Sequence, residues 1–196
     1  MYDATQGEVL VDGVNVKDYD IEALRNKVGI VMQKAVLFKG TIRENMWMGK
    51  KGATDEQIDE ALEISQSKEF VDSKQGRLDY VIEQGGKNLS GGQRQRLTIA
   101  RAIVRKPDVL ILDDSASALD FATDAALRKA IRGMNNSPTV FIVSQRAASL
   151  MYADLIIVLD DGQVAGMGTH DGFLQIVRFI KRYMNHSLRK QIQKGV

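Results

Sequence analysis

Residues 89–120 of this 196-residue chain read LSGGQRQRLTIARAIVRKPDVLILDDSASALD. Ser90 stands where a helix cap is expected, and Gln93 follows three residues later, which is the spacing of a capping box. An apolar run of helical period follows and ends at Lys106-Pro107. Residues 109–112 then form a short apolar strand that delivers Asp113 and Asp114 at its end. The stretch therefore predicts a helix start and a strand end of the kind at which α/β proteins bind ligands.

The glycine pair within this stretch indicates an anion site. Gly91 and Gly92 lack a Cβ, so backbone N–H groups can come close to a phosphate. At a helix N-terminus these N–H groups and the helix dipole favour an anion, and Ser90 adds a hydroxyl donor. The alternative from these residues alone is an ordinary capped helix preceded by a loop, and for Asp113 it is an acid that caps the next turn.

Composition restricts the possible classes of protein. The chain is 44% apolar and 27% charged, which is ordinary for a globular α/β domain, and it has no cysteine for disulfides or thiolate metal sites. Six of the 27 basic residues and none of the 25 acidic ones lie in residues 172–196, so the remainder has a net charge of −4. The overall charge therefore does not favour nucleic acid as a partner.

Strands alternate with helices along the chain, which predicts a mainly parallel sheet. The predicted strands are 8–11, 28–32, 109–112, 139–143, 155–159 and 163–165. The predicted helices are a turn at 21–25, a helix capped by Thr41 up to residue 48, one opened by the capping box at residues 54–57, the one capped by Ser90, and 122–133.

The quoted stretch resembles the signature motif, Walker B strand and D-loop (Ser117-Ala118-Leu119-Asp120) of an ATP-binding cassette (ABC) ATPase. The resemblance implies a P-loop NTPase-like α/β fold with a helical signature subdomain. It also implies a head-to-tail dimer in which Ser90, Gly91, Gly92 and Gln93 close over ATP held by the partner domain. Asp120 would bridge that dimer.

The same resemblance assigns catalytic and metal-binding residues. It places Asp113 and Gln33 at Mg²⁺, with Gln33 also near the attacking water. Asp114 occupies the position of the family's catalytic glutamate, and its shorter side chain draws the carboxylate back from the water; a misplacement of about 1 Å can cost on the order of 100-fold in rate. Gln145 replaces the switch histidine and cannot carry a proton's charge. We therefore expect weak or no hydrolysis at this site, whereas the intact signature could serve an active site of the partner.

Two further segments indicate an exporter. Residues 37–45, LFKGTIREN, resemble the exporter form of the segment after Gln33, and Gln84 stands where exporters usually have a glutamate that contacts their transmembrane domains. The implied parent is the degenerate-site subunit of a heterodimeric exporter at the cytoplasmic face of the plasma membrane. It would use ATP and Mg²⁺ and pair with a second nucleotide-binding domain, with no role for nucleic acid.

No GxxxxGK[ST] phosphate loop occurs in the sequence. The first residues resemble the segment just after the phosphate-loop helix, so we expect a truncated domain without the N-terminal strands and phosphate-loop helix. Such a chain alone should not bind ATP tightly or hydrolyse it. We also expect apolar surface to be exposed on the sheet.

The resemblance covers residues 1–171, which we interpret as a partial nucleotide-binding domain with a helical subdomain over about residues 41–104. Residues 172–196 form an atypical basic tail. Two interpretations of the tail remain open: an amphipathic helix for a membrane surface or a partner, and out-of-frame translation after a frameshift near Gly172. No segment of the sequence approaches the roughly 20 apolar residues of a membrane span.

Two other classes of function remain possible from the sequence. One is a non-enzymatic fragment or gene remnant that only binds a partner. The other is a soluble ABC-type ATPase of translation or DNA maintenance, although such proteins usually carry tandem cassettes or coiled coils, and neither is found here.

Overall fold

The computed structural model describes residues 4–115 and 118–173, apart from the side chains of Ala147 and Ala148. Its strands are β1 (Leu10–Val11), β2 (Val14–Asn15), β3 (Val28–Val31), β4 (Gly40–Thr41), β5 (Val81–Ile82), β6 (Val109–Asp113), β7 (Thr139–Val143), β8 (Ile156–Asp160) and β9 (Gln163–Gly168). Its α-helices are α1 (Ile21–Lys27), α2 (Ile42–Trp47), α3 (Asp55–Ile64), α4 (Lys68–Asp72), α5 (Gly91–Ile103) and α6 (Phe121–Arg132). Short 3₁₀ helices cover Arg77–Asp79, Gln84–Gly86 and Ala147–Leu150.

A parallel sheet of order β3-β6-β7 forms the centre of the first part of the chain. The middle strand β6 is the apolar run that ends in Asp113, and it pairs with a parallel strand on each side. Such a strand is apolar throughout because both faces of a parallel sheet are usually covered. The predicted α/β fold with a mainly parallel sheet is therefore confirmed.

The predicted helix caps are present. The hydroxyls of Thr41, Thr54 and Ser90 each accept a hydrogen bond from the backbone of the residue three positions on, whose side chain bonds back to the backbone of the cap. Helix α6 begins at Phe121, one residue earlier than predicted, because Asp120 accepts from the Thr123 N–H and acts as its cap. It ends before Gly133 rather than including it.

The signature helix α5 is the best-buried element of the described structure. Leu97, Ile99 and Ile103 are at most 1% exposed, and α5 packs against α3, α2 and β3. The contact with the end of α2 is close: a Cβ at Gly49 would collide with the carbonyl of Arg101. Glycine at residue 49 therefore allows the backbone of this region to approach the signature helix.

One strand of the sheet exposes apolar side chains. Phe141 and Val143 of β7 are 56% and 57% exposed, whereas Val140 and Ile142 on the other face pack against the core. Exposed apolar surface was expected at the sheet centre; in the described structure it lies on the outer strand β7, whereas Leu110 and Leu112 of the central strand β6 are buried.

The chain divides into two units, residues 1–143 and residues 144–196. In the second unit, β8 and β9 form an antiparallel hairpin, and the ring of Phe173 packs on Gly166, where a Cβ would lie 3.1 Å from the ring. The predicted strands at 155–159 and 163–165 correspond to β8 and to a longer β9. Residues 174–196, most of the basic tail, lie outside the described residues.

Candidate functional site

The start of α5 is held by a reciprocal pair of hydrogen bonds. The Gln93 N–H donates to the Ser90 hydroxyl at 3.2 Å, and the Ser90 N–H donates to Oε1 of Gln93 at 3.0 Å. The first intrahelical bond is donated by Arg94 to the Ser90 carbonyl. The N–H groups of Gly91 and Gly92 precede that bond, so they are donors without an acceptor inside the helix.

Space remains in front of one signature glycine but not of the other. Among the described residues, a Cβ at Gly91 would meet only the Arg94 guanidinium, at 4.0 Å, whereas a Cβ at Gly92 would lie 3.3 Å from the Ala118 carbonyl. Within this part of the chain, the helix start therefore lies close to the D-loop backbone at Gly92 and has space beside it at Gly91. This arrangement suits an anion placed against the helix N-terminus.

Arg94 fixes the turn that leads into the signature motif, a role that sequence reasoning missed. Its Nη1 donates to the Leu89 carbonyl at 2.6 Å and to the Gly86 carbonyl at 3.3 Å. Gly86 has φ +70°, and a Cβ there would clash with the Arg94 side chain. In the sequence, the glycine pair at residues 85–86 indicated a tight turn, but nothing indicated that Arg94 would bond to it.

Asn88 holds the same turn from its other side. Its Oδ1 accepts from the Glu83 N–H at 3.0 Å, and its Nδ2 donates to the Val81 carbonyl at 2.9 Å and to the Tyr80 hydroxyl at 3.1 Å. The segment that contains Gln84 is thus tied directly to the residue before the signature motif.

The sheet end places Gln33 beside Asp114. Val31 pairs with Leu112 in the parallel register, so the two side chains leave neighbouring strands at the same edge. Nε2 of Gln33 donates to Oδ2 of Asp114 at 3.0 Å. Asp113 pairs with Val143 at the end of the strand and is half-buried. Three predicted site residues are therefore brought together at one edge.

Asp120 is engaged within its own chain. Its carboxylate accepts from the Thr123 N–H at 2.9 Å and from the Thr123 hydroxyl at 2.7 Å. These bonds, the backbone one first, hold the pKa of the Asp120 carboxyl below its ordinary value because they stabilise its charged form. Within this chain Asp120 acts as a helix cap, and the bridge to a second domain remains a prediction.

Gln145 lies two residues beyond β7 and is exposed. It belongs to the second unit of the chain, at the start of residues 144–196. Its neighbour Ser144 accepts the Arg146 N–H at 3.0 Å and forms a tight turn there. A contact of Gln145 with a phosphate remains a prediction.

Asn45 and Arg101 fix the segment after Gln33, and neither was predicted. Asn45 is fully buried; it accepts from the Phe38 N–H and donates to the carbonyls of Phe38 and Thr41, each at 3.0 Å. Arg101 of α5 donates to the Val36 carbonyl at 2.9 Å, and its guanidinium lies 5.9 Å from the centre of the Phe38 ring. Burial lowers the pKa of Arg101 from its ordinary value.

Comparison with known proteins decides the family. The sequence model described as "ABC transporter" matches residues 1–117. The chain belongs to the ABC transporter family. It is 41% identical over 177 residues to an uncharacterized ABC transporter ATP-binding protein of Mycobacterium tuberculosis, a match that covers 89% of this chain and 30% of the relative.

Two further matches connect the chain with exporters. It is 38% identical over 169 residues to a Staphylococcus aureus protein provisionally named a multidrug export ATP-binding/permease protein, covering 86% of this chain and 29% of that one. A solved bacterial Atm1-family ABC exporter with ATP bound superposes with a TM-score of 0.83 at 33% identity, over 89% of this chain and 31% of the exporter chain. The chain thus spans about 30% of the length of these relatives, and it is similar to an exporter's ATP-binding domain.

The residues present fit the ATP and Mg²⁺ that ABC ATPase domains typically bind. The open space at Gly91 and the helix N–H donors suit a phosphate, and the oxygens of Asp113 and Gln33 are hard ligands that suit Mg²⁺. The described residues contain no cluster of three or more His, Cys, Asp or Glu side chains that could hold a metal ion. Mg²⁺ at nucleotide sites usually takes only one or two carboxylates together with phosphates.

No helix within 4–115 and 118–173 is long and apolar enough to cross a membrane.

Proposed function

We propose that the chain is the ATP-binding part of an ABC exporter and acts by closing its signature motif over ATP held by a second nucleotide-binding domain. The observation that carries this proposal is the start of α5. It is capped by Ser90, it has space beside Gly91 among the described residues, and Arg94 bonds to the carbonyl of Leu89 just before it. An anion site is strong when its donors are already in place before the ligand arrives. Ser90, Gly91, Gly92 and Gln93 supply these donors.

In the intact parent, the strand ends of this domain would organise Mg²⁺ through Asp113 and Gln33 and would hydrolyse ATP poorly. Mg²⁺ would neutralise charge on the phosphates when bound. Asp114 is too short to reach the attacking water as a glutamate would, and Gln145 offers the γ-phosphate an amide instead of an imidazole. The two departures support a heterodimer in which the partner contributes the active hydrolytic site, with Asp120 at the dimer contact.

In the intact exporter, ATP binding and hydrolysis would drive solute export through transmembrane domains, with this domain at the cytoplasmic face of the plasma membrane. Gln84 would face those domains, because it stands where exporters usually have a glutamate that contacts them. Asn88 and Arg94 tie its turn to the signature motif. We place the nucleotide-binding domain at residues 1–171 and its helical subdomain at about residues 41–104. Helices α2 to α5 fall inside the latter range.

Calorimetry with ATP and Mg²⁺ tests the role of a phosphate loop. It compares the 196-residue chain with the same chain joined at its N-terminus to a strand and a GxxxxGK[ST] loop of the exporter type. We expect heat of binding only from the joined protein, because a backbone nest and a lysine hold the phosphates. Micromolar binding by the 196-residue chain alone would contradict the expectation that a phosphate loop is needed to hold ATP.

A second measurement tests the signature motif. A separate ABC nucleotide-binding domain with a complete phosphate loop and a blocked catalytic base is mixed with the chain, and the ATP it retains is measured. We expect Ser90→Ala to lower retention and Thr54→Ala, which removes a capping box outside the site, to leave it unchanged. Equal retention with both variants would contradict a clamp by Ser90.

A further inference from the structure

The hydrogen bond between Gln33 and Asp114 joins two residues that the proposed function treats separately. The donor is Nε2 of Gln33, the acceptor is Oδ2 of Asp114, and they are 3.0 Å apart. The two residues are 81 positions apart in sequence and meet because β3 and β6 are paired in parallel register. Gln33 is exposed and Asp114 is half-buried, so the carboxylate is the better-fixed partner.

The backbone of Asp114 is held in place by the third strand of the sheet. Its N–H donates to the Val143 carbonyl at 2.9 Å. Its φ is +42°, in the left-handed region that aspartate tolerates better than most residues. The chain therefore turns sharply at Asp114 directly after β6, with the backbone bonded towards β7 and the side chain bonded towards β3.

The chemistry of the pair fixes the orientation of the Gln33 amide. An ionised carboxylate only accepts hydrogen bonds, whereas a carboxamide has a donating NH₂ end and an accepting oxygen end. The NH₂ end of Gln33 must therefore face Asp114, and Oε1 is turned away from it. An amide at residue 114 could accept from the NH₂ end of Gln33 or donate to its Oε1. The selection of one orientation therefore depends on the carboxylate of Asp114.

We propose that Asp114 is a positioning residue for Gln33, holding its amide so that Oε1 is presented to the divalent cation. This inference rests on the proposed cation site at Asp113 and Gln33, but it gives Asp114 a role other than that of a catalytic base. The length of aspartate suits this role, because a glutamate at residue 114 would be one methylene longer and would displace the acceptor from its position beside Gln33.

Side-chain amide exchange in the ¹⁵N-labelled full chain tests the hydrogen bond directly. We expect Asp114→Ala to raise the solvent exchange rate of the Gln33 Nε2 protons by about fivefold, as for loss of one exposed charge-assisted bond. The Gln66 amide, which donates to the Glu63 carbonyl, is the internal reference. Asp108→Ala removes an exposed acid before the other end of β6 and should leave Gln33 unchanged. Equal Gln33 rates in the wild type and Asp114→Ala would overturn the proposal.

Manganese tests the orientation. Mn²⁺ alone is titrated into the ¹⁵N-labelled wild type and into Asp114→Asn. In each protein, the paramagnetic broadening of the Gln33 side-chain signal is divided by that of the Asp113 backbone amide. We expect Asp114→Asn to reduce the ratio by about twofold, because both amide orientations then become available to Gln33. An unchanged ratio would overturn the orienting role. Broadening of neither residue in the wild type would contradict the proposed cation site itself, and the exchange rates would still decide whether the hydrogen bond exists.

Discussion

The two edges of this domain that are candidates for ligand binding differ in how firmly their side chains are held. The start of α5 is fixed by two capping bonds and by the two bonds of Arg94 to the preceding turn. At the sheet end, a side-chain bond joins Gln33 to Asp114, and Gln33 is exposed. The signature edge thus has its donors in place for the proposed anion, whereas at the sheet edge the exposed Gln33 side chain is held by its bond to Asp114.

The difference continues into the packing behind each edge. Helix α5 buries Leu97, Ile99 and Ile103 completely or nearly so, whereas β7 exposes Phe141 and Val143. Close packing restricts the motion of an element, because every displacement costs contacts on several sides. The comparison therefore predicts that variants behind the signature motif cost more stability than variants at the sheet edge.

The largest expected effect tests that difference directly. Leu97→Ala should lower the free energy of unfolding by about 3 kcal/mol, because it removes a fully buried side chain and leaves a cavity. Phe141→Ala, at a side chain that is 56% exposed, should cost less than half as much. Urea unfolding measures both, and equal losses would contradict the comparison.

A second variant addresses the segment that follows Gln33 and leads into α2. Asn45→Ala should lower the free energy of unfolding by about 2 kcal/mol, because it leaves three part-buried backbone groups of Phe38 and Thr41 without their partner. The matched control is Asn136→Ala, which removes a single bond to the Pro107 carbonyl and should cost less. A larger loss at Asn136 would show that Asn45 does not anchor this segment.

A third pair separates stability from function at the signature motif. Ser90→Ala and Thr54→Ala each remove a helix cap, and each should lower the free energy of unfolding by about 1 kcal/mol. Thermal unfolding should therefore not distinguish them, although only Ser90→Ala should weaken ATP retention by the partner domain. If Ser90→Ala lowered the free energy of unfolding much more than Thr54→Ala, its lower ATP retention would be explained by loss of folded protein.

The smallest expected effect concerns acid. Hydrogen bonds from Arg43 to Asp55, and from Arg77 and then Lys68 to Asp72, hold the pKa of each carboxyl below its ordinary value. The stabilisation is present above the unfolded-state pKa and is lost as pH falls through the folded-state pKa. Stability should therefore decline slightly more with acid in the wild type than in Asp72→Asn.

Urea unfolding across the acid range measures that difference. Both carboxylates are exposed, so 1 M salt should reduce it. Identical dependence of stability on pH in the wild type and Asp72→Asn at low salt would exclude a contribution from the bonds of Asp72 to Arg77 and Lys68.

The local signals of the sequence predicted the elements that bear the site. The cap residues Thr41, Thr54 and Ser90 gave helix starts correctly, because a cap is decided within four residues. Strands β6 and β7 were predicted because their apolar runs are flanked by turn residues. The sequence predicted a mainly parallel sheet but not the pairing of β3 with β6 that brings Gln33 beside Asp114, and their hydrogen bond depends on the exact register.

Non-local bonds were not predictable in this way. Arg94, Asn88 and Asn45 act by bonding backbone groups of turns, and no periodicity indicates which turn a polar side chain will reach. The two-residue pairing of β4 with β5 joins segments about 40 residues apart and has no pattern of its own. The left-handed backbone of Asp114 was likewise invisible, because aspartate is common in ordinary turns as well.

The place of β6 at the middle of the sheet has a consequence for synthesis on the ribosome. β3 is synthesised before its partner β6, and Gln33 and Asp114, which follow the two strands, are 81 residues apart. At about 5–20 residues per second the nascent chain spends roughly 4 to 16 s with that strand edge unpaired. The helices between residues 42 and 103, which contact one another in the folded chain, are synthesised within that interval. We therefore expect the helices that carry the signature motif to fold before β6 pairs with β3 and completes the sheet.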